Sequence, residues 1–188
     1  MTTVFFVRHA QPNYHNHDDM LRELSPKGME DRKRVTHFLS GKRIDVVLSS
    51  PYKRAVDTVQ HFADAQGIPI ETIEAFRERK VAGGWVEDFT SFAQRQWHDF
   101  SYKLPDGECL QEVQHRNICA LQSVIKKYAG KNIVIGSHGT ALSTIIHYYD
   151  NSFGYDDFCK IKNIMPWIVS FVFDKDGNCL EMNTCVSF

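Results

Sequence analysis

Thr3-Val4-Phe5-Phe6-Val7-Arg8-His9-Ala10 reads as a strand that delivers a histidine. The run from Thr3 to Val7 is short, apolar on both faces and cut off by a charge, as expected of a buried strand in a parallel sheet. The same pattern recurs at Asn132-Ile133-Val134-Ile135, which runs on into Gly136-Ser137-His138-Gly139. Each histidine falls at the C-terminal end of its strand. Ligands bind along that rim in open α/β sheets, so two imidazoles from distant parts of the chain are expected to converge there. Arg8 beside His9 points to an anionic ligand.

A third strand-like run, Asp45-Val46-Val47-Leu48, leads into Ser49-Ser50-Pro51-Tyr52-Lys53-Arg54-Ala55. Ser50 suits a helix N-cap and Pro51 the first helical position, where its missing N–H costs nothing. Arg54 then lies in the first turn, where free N–H groups and the helix dipole favour an oxyanion. By itself Arg54 could equally be a solvated first-turn residue, and either histidine a hydrogen-bonded structural one. Two histidines and two arginines at one rim favour a site.

Outward from these runs, strands and helices alternate. Ser25 and Pro26 open a helix whose Met29, Val35, Phe38 and Leu39 share a face, and Gly41 ends it. A helix from Pro51 to about Gln66 buries Ala55, Val56, Val59, Phe62 and Ala63, and Ile68 to Ile73 suits an edge strand. Leu110, Val113, Ala120, Leu121, Val124 and Tyr128 define a long amphipathic helix before the strand at Ile133, and another helix follows Gly139. Trp167 to Phe173, a turn at Asp174 to Gly177, and Leu180-Glu181-Met182 predict a closing hairpin. The stretch 77–108 breaks the alternation and reads as a cap over the rim. It carries Gly83-Gly84, Trp85, Phe89, Phe92, Trp97, Phe100 and Tyr102, with Arg77, Arg79 and Arg95 as candidates for substrate selection. Helical spacing alone would make Phe89, Phe92 and Trp97 the cap's own core.

Taken together, Arg8-His9, Leu24-Ser25-Pro26-Lys27-Gly28, Ser49 to Ala55, Phe76-Arg77-Glu78-Arg79, Asp106-Gly107-Glu108 and Ser137-His138-Gly139 resemble, in order, the motifs of the histidine phosphatase superfamily that includes the cofactor-dependent phosphoglycerate mutases. Ala10 stands where that family usually has glycine, and His15 where it often has asparagine. The resemblance implies a three-layer αβα sandwich around a mostly parallel sheet. It implies His9 as the nucleophile that takes the phosphoryl group, Glu78 as proton donor and His138 as the second pocket histidine. Arg8, Arg54 and Gly139 correspond to its phosphate-binding residues. No metal or other cofactor is implied. In such a reaction fixed positive charge does most of the work, here from Arg8, Arg54 and a protonated His138. Glu78 would need to be protonated part of the time against the pull of Arg77 and Arg79; otherwise it is a surface ion-pair partner of Arg79 or Lys80.

Composition sets the frame: 188 residues, 43% hydrophobic with a net charge of -1, suffice for a single domain over 1–188. The charge balance argues against nucleic acid as a partner, Arg32-Lys33-Arg34 being read as one wet helix face. No apolar run approaches the roughly 20 residues that span a bilayer, and the start of the chain shows no charged-then-apolar leader, so no membrane partner and a cytoplasmic protein are expected. Five cysteines without a Cys-x-x-Cys pair read as reduced thiols in or near a core. His15, His17, Asp18 and Asp19 have weak spacing for a metal and read as a polar loop.

The expected function is a metal-independent phosphomonoesterase acting on a small phosphorylated metabolite through a phosphohistidine. The alternative is a phosphoglycerate mutase using the same intermediate. The family's mutases hold the substrate carboxylate with paired arginines in a longer insertion, and this chain has no adjacent arginine pair in its cap. A non-catalytic phospholigand-binding protein is the third class.

Overall fold

The computed structural model describes residues 1–83 and 87–187, so the expected roles of Gly84 and Trp85 lie outside the described residues. Strands β1 (Thr2–Arg8), β2 (Val46–Ser49), β3 (Ile70–Thr72), β4 (Asn132–Ser137), β5 (Trp167–Phe173) and β6 (Cys179–Ser187) form one sheet in the order β3-β2-β4-β1-β5-β6. The first four run parallel, while β5 and β6 close the sheet as an antiparallel hairpin. This is the mostly parallel sheet expected from the sequence, with β3 at its edge.

The period-2 alternation of the central strands builds both cores. Phe5 and Val7 of β1 pack with Val47, Val134 and Ile168 against α1 (Pro26–Ser40) and α2 (Lys53–Gln66) through Val35, Leu39, Val59 and Phe62. Val4 and Phe6 face the other way. They join Leu48, Ile133, Ile135 and Phe171 in a core covered by α4 (Leu110–Lys127) and α5 (Gly139–Tyr149), through Leu121, Val124, Leu142 and Ile145. Each central strand is therefore buried on both sides, as its unbroken apolar run requires.

Local chemistry sets the helix starts with two departures from expectation. Ser25 caps α1, its Oγ accepting from the Gly28 N–H at 3.1 Å, and Pro26 opens the helix. Gly28 is obligatory, because a Cβ there would lie 2.2 Å from the Gln11 carbonyl oxygen. Met29, expected on the apolar face, is exposed, and Asp31 turns inward with Gly28, Val35 and Leu39. Helix α2 begins at Lys53 rather than Pro51, with Tyr52 at the N-cap and no side-chain cap. Ser50, expected at that cap, lies further upstream, its Oγ accepting from the Tyr52 N–H at 3.2 Å.

Two further helices lie at the C-terminal rim of the sheet. Helix α3 (Phe89–His98) falls within the expected cap, and α6 (Tyr155–Ile161) has no counterpart in the sequence reading. They pack together: Ala93 and Trp97 share a cluster with Leu110 and Phe158, flanked by Phe100 and Phe153. Trp97 and Phe100 are therefore core residues of this satellite layer. The cysteines are all free, with Cys109 buried but Cys119 exposed, so the expectation of thiols in or near a core fails for Cys119. No helix of the described residues is long and apolar enough to cross a membrane.

Candidate active site

The ends of β1, β4 and β2 are stitched together where the chain leaves the sheet. The His9 N–H donates to the Ser137 carbonyl at 3.0 Å, and the Ser50 N–H to the Gly136 carbonyl at 2.8 Å. His9 and His138 are thereby brought side by side, with ring centroids 5.4 Å apart. His9 sits at the wall of a cavity of about 890 Å³ lined by Arg8, His9, Arg54, Glu78 and Gly139 among others. Five of the six site residues expected from sequence thus line one cavity, and His138 lies in contact behind them.

The His9 ring is oriented by its own neighbour. Nδ1 lies 2.8 Å from the Ala10 carbonyl oxygen, which can only accept, so Nδ1 carries the proton and Nε2 keeps its lone pair. Burial, then the Arg54 and Arg8 guanidiniums, hold the His9 imidazole well below the usual histidine range. His9 is therefore neutral. His138 Nε2 lies 2.7 Å from the Ser50 Oγ. Burial, Arg54 and His9 likewise hold the His138 ring well below its usual range, so with the cavity empty His138 is neutral. Its desolvation inside a field of guanidiniums is the physical reason.

Arg8 is braced from an unforeseen direction. Its Nη1 donates to the Ile161 and Ile164 carbonyls at 2.7 and 3.0 Å, and its Nη2 to the Lys162 carbonyl at 2.8 Å. These carbonyls lie at and just beyond the C-terminal end of α6, where a cation is favoured. Nε is buried without a partner among the described residues. Burial pushes Arg8 down to about 10, with Glu78 pulling the other way. Gly139 is the floor of this arrangement, since a Cβ there would stand 3.0 Å from the Arg8 Cζ and Nη2.

Arg54 is 3% exposed and holds a carboxylate of the chain itself. Its Nη2 lies 3.1 Å from the Asp19 Oδ1, and its Nη1 donates to the Asp19 carbonyl oxygen. In the sequence Asp19 is only part of a polar loop; no local signal couples it to Arg54, 35 residues away. Among the described residues no group of three or more His, Cys, Asp or Glu could hold a metal ion, the loop from His15 to Asp19 included.

Glu78 is neither a surface residue nor an ion-pair partner of Arg79 or Lys80. Its carboxylate accepts from the Thr140 and Ala141 N–H groups, both at 3.0 Å, and from the Arg79 N–H at 2.8 Å. It closes the N-terminus of α5, where the dipole favours an anion. Glu108, by contrast, is bound by Arg77 at 2.7 Å, Arg116 at 2.9 Å and the Lys80 N–H at 3.0 Å, and does not line the cavity. Of the cap arginines, Arg77 is held by Glu108 and Glu74, and the exposed Arg95 stacks on Tyr102 at 3.9 Å. Only Arg79 of the three reaches the cavity.

A family model described as the histidine phosphatase superfamily (branch 1) matches residues 4–180. The chain belongs to that superfamily. This histidine phosphatase is 25% identical over 158 residues to a protein of Hydrogenobacter thermophilus named putative phosphoserine phosphatase 2, covering 78% of this chain and 77% of that one. It is 28% identical over 159 residues to phosphoglycerate mutase-like protein 4 of Arabidopsis thaliana, covering 76% and 68%. Among solved structures, Bacillus stearothermophilus YhfR superposes with a TM-score of 0.80 at 23% identity, covering 99% of this chain and 96% of that one, which shows the fold.

The two neutral, buried histidines make stability pH-dependent with a definite sign. An unfolded histidine titrates near 6.5, whereas in the fold both rings resist protonation to well below that. Below pH ~6.5 the unfolded chain binds the extra protons, so stability falls as pH falls, by at most ~1.4 kcal/mol per pH unit for each ring. Urea denaturation between pH 7.5 and 5 should show the midpoint dropping below pH ~6.5. His138→Gln should flatten that decline; an unchanged slope would mean that His138 protonates freely in the folded protein.

Proposed function

We propose that this histidine phosphatase is a metal-independent phosphomonoesterase that hydrolyses small organic phosphates through a phosphohistidine at His9. The observation that carries the reading is the His9 ring itself: neutral, with Nδ1 fixed on the Ala10 carbonyl and Nε2 left as a base at the cavity wall. A nucleophile of this kind must be unprotonated and correctly tautomeric. Nε2 bonds to phosphorus as the ester P–O bond breaks in line, and the leaving oxygen takes a proton from Glu78. Water then attacks the phosphohistidine, giving a proton to the Glu78 carboxylate as the N–P bond breaks, which releases phosphate and regenerates both His9 and the acid. Arg8 and Arg54 supply the fixed charge that the equatorial oxygens require. The free Nε of Arg8 gives it a donor for that purpose. A phosphoryl dianion beside His138 would offset the desolvation and guanidinium field that keep it neutral, so protonation of His138 belongs to the bound state.

The mutase reading is second. Relatives carry both names, but Arg77 is committed to Glu74 and Glu108, so of the three cap arginines Arg79 alone lines the cavity. A phosphate-release panel of small phosphomonoesters, run beside a mutase assay with a bisphosphoglycerate primer, separates the possibilities. Phosphate release without mutase turnover is expected. Rapid mutase turnover would reverse the order, and saturable phosphate binding without turnover would favour a binding protein.

Asp19 gives this reading a quantitative consequence. A phosphoryl oxygen that takes the outer edge of Arg54 must displace the Asp19 carboxylate. With its side chain 49% exposed, this ion pair is screened and worth up to ~1 kcal/mol. Asp19→Asn should therefore tighten competitive inhibition by inorganic phosphate by up to about fivefold. An unchanged inhibition constant would place phosphate elsewhere than on Arg54.

A further inference from the structure

Asp19 stands between two cations. Its Oδ1 lies 3.1 Å from the Arg54 Nη2 and 3.7 Å from the Arg22 Nη1, and among the described residues no other cation is within ion-pair distance of it. The two guanidiniums differ in setting. Arg54 is 3% exposed and shares the cavity wall with Arg8 and His9. Arg22 lines the same cavity from the loop before α1, with its side chain 19% exposed. Its Nε donates to the Asn16 carbonyl at 2.7 Å, which fixes the guanidinium, while its Nη groups make no hydrogen bond among the described residues. They are free to take a carboxylate.

The loop lets that carboxylate change partner while the backbone stays in place. Glu23 accepts from the Asn13 and Asn16 side-chain amides at 2.6 and 2.8 Å, and the Asn13 N–H donates to the Glu23 carbonyl at 2.8 Å, so the loop is closed at its neck. Further along, the Asp18 Oδ1 accepts from the Met20 and Leu21 N–H groups at 3.0 and 2.9 Å, and the Lys53 N–H donates to the Met20 carbonyl at 2.9 Å. The Asp19 carbonyl oxygen is itself held by the Arg54 Nη1. Only the Asp19 side chain, 49% exposed, is tied to nothing but the two guanidiniums. A change of rotamer is enough to carry it from one to the other.

We propose that Arg22 is a positioning residue that receives the Asp19 carboxylate when a phosphoryl group takes Arg54, so that substrate entry exchanges one ion pair for another. The inference rests on the phosphate-binding role given to Arg54 in the reading above, and not on the hydrolytic step. Without a receiver, the displaced carboxylate would face an incoming dianion unpaired, a like-charge contact that opposes binding. Arg22 thus acts through Asp19 and not on the phosphoryl group. In the free protein it stands behind the closer Arg54 contact, so its pairing with Asp19 strengthens when phosphate is bound.

The test is calorimetric titration with inorganic phosphate of the wild type, Asp19→Asn, Arg22→Gln and the double variant at one ionic strength. Arg22→Gln should weaken phosphate binding by up to about fivefold, the worth of an exposed ion pair. In the Asp19→Asn background the same substitution should leave the affinity nearly unchanged, because the two residues act as a unit. Equal weakening in both backgrounds would mean that Arg22 attracts phosphate itself, and no weakening in either would mean that the carboxylate goes elsewhere; each overturns the proposal. Arg22→Lys, which keeps the charge, should restore part of the affinity only where Asp19 is present, and it decides the matter should Arg22→Gln not fold. In turnover the loss should fall on KM with kcat unchanged, whereas damage to the loop that disturbed the site would lower kcat as well. A crystal structure with phosphate bound should show the Asp19 carboxylate on Arg22; a carboxylate still on Arg54 would overturn the exchange. The titration needs no hydrolysis, so an intact cycle without turnover would sink the phosphomonoesterase reading alone.

Discussion

His9→Ala is expected to abolish turnover, lowering kcat/KM by about 10⁴-fold or more, because it removes the nitrogen proposed to form the covalent intermediate. The His9 Nδ1 is committed to a fixed acceptor, the Ala10 carbonyl at 2.8 Å, so that the lone pair on its Nε2 is presented. The His138 Nε2 is engaged with Ser50, and its Nδ1 is buried without a partner among the described residues. Rapid quench of the wild type with labelled substrate should trap a phosphoryl group that is stable to base and labile to acid, and peptide mapping should place it on His9. The label should vanish in His9→Ala while competitive phosphate binding, held by the arginines, persists. Label on His138 would reverse the roles of the two histidines. Turnover without any trapped label would point to direct attack by water, with His9 as its base.

The neutrality of His9 also gives the proposed nucleophile a wide working range. Protonation, which would remove its lone pair, is deferred to well below the ordinary histidine range by burial and by Arg54 and Arg8. The same guanidiniums that attract a phosphoryl group therefore keep its acceptor competent before the substrate arrives. The two effects have one cause, positive charge in a desolvated site.

What the sequence disclosed follows the range of the physics behind each feature. Central strands were legible because burial on both faces demands unbroken apolar runs, and each histidine sits at the end of such a run. Ser25-Pro26 marked the start of α1 because capping is local chemistry, carried within four residues. Helix α6 went unseen. At seven residues, with Phe158 as its buried residue, it has too few turns to show a period, yet its last carbonyls hold Arg8. Asp19 on Arg54 was equally hidden, since a contact between a loop and a distant helix leaves no spacing to read. Gln96 did leave a signal. It interrupts the buried stripe of Phe92, Ala93 and Trp97 in α3, and a polar residue in such a stripe announces a partner, here Arg79. The motif order carried Glu78 into the site, but only geometry showed that its carboxylate rests on the first turn of α5.

That resting place shapes how Glu78→Gln must be read. Both carboxylate oxygens accept backbone N–H groups, so an amide there turns one accepting atom into a donor facing a donor, at a cost of about 1–3 kcal/mol to the start of α5. This structural penalty falls on every substrate alike, because Gly139 and the Arg8 guanidinium packed on it sit at that same helix start. A proton-donating role is different in kind. It matters for an alkoxide leaving group and hardly at all for a nitrophenolate, which departs without help. Glu78→Gln should therefore slow alkyl phosphates by about 10²–10⁴-fold more than p-nitrophenyl phosphate, and the ratio between the two is the quantity to measure. To serve as the acid, Glu78 must release at least one of its three N–H contacts when substrate enters, so the same variant should also change the acidic limb of the pH profile for alkyl phosphates. A uniform loss with an unchanged profile would confine Glu78 to holding α5. Glu108 could not then take its place, being bound by Arg77 and Arg116 away from the cavity, and the leaving-group series would pass to the other cavity carboxylates, Asp18, Asp19 and Glu87.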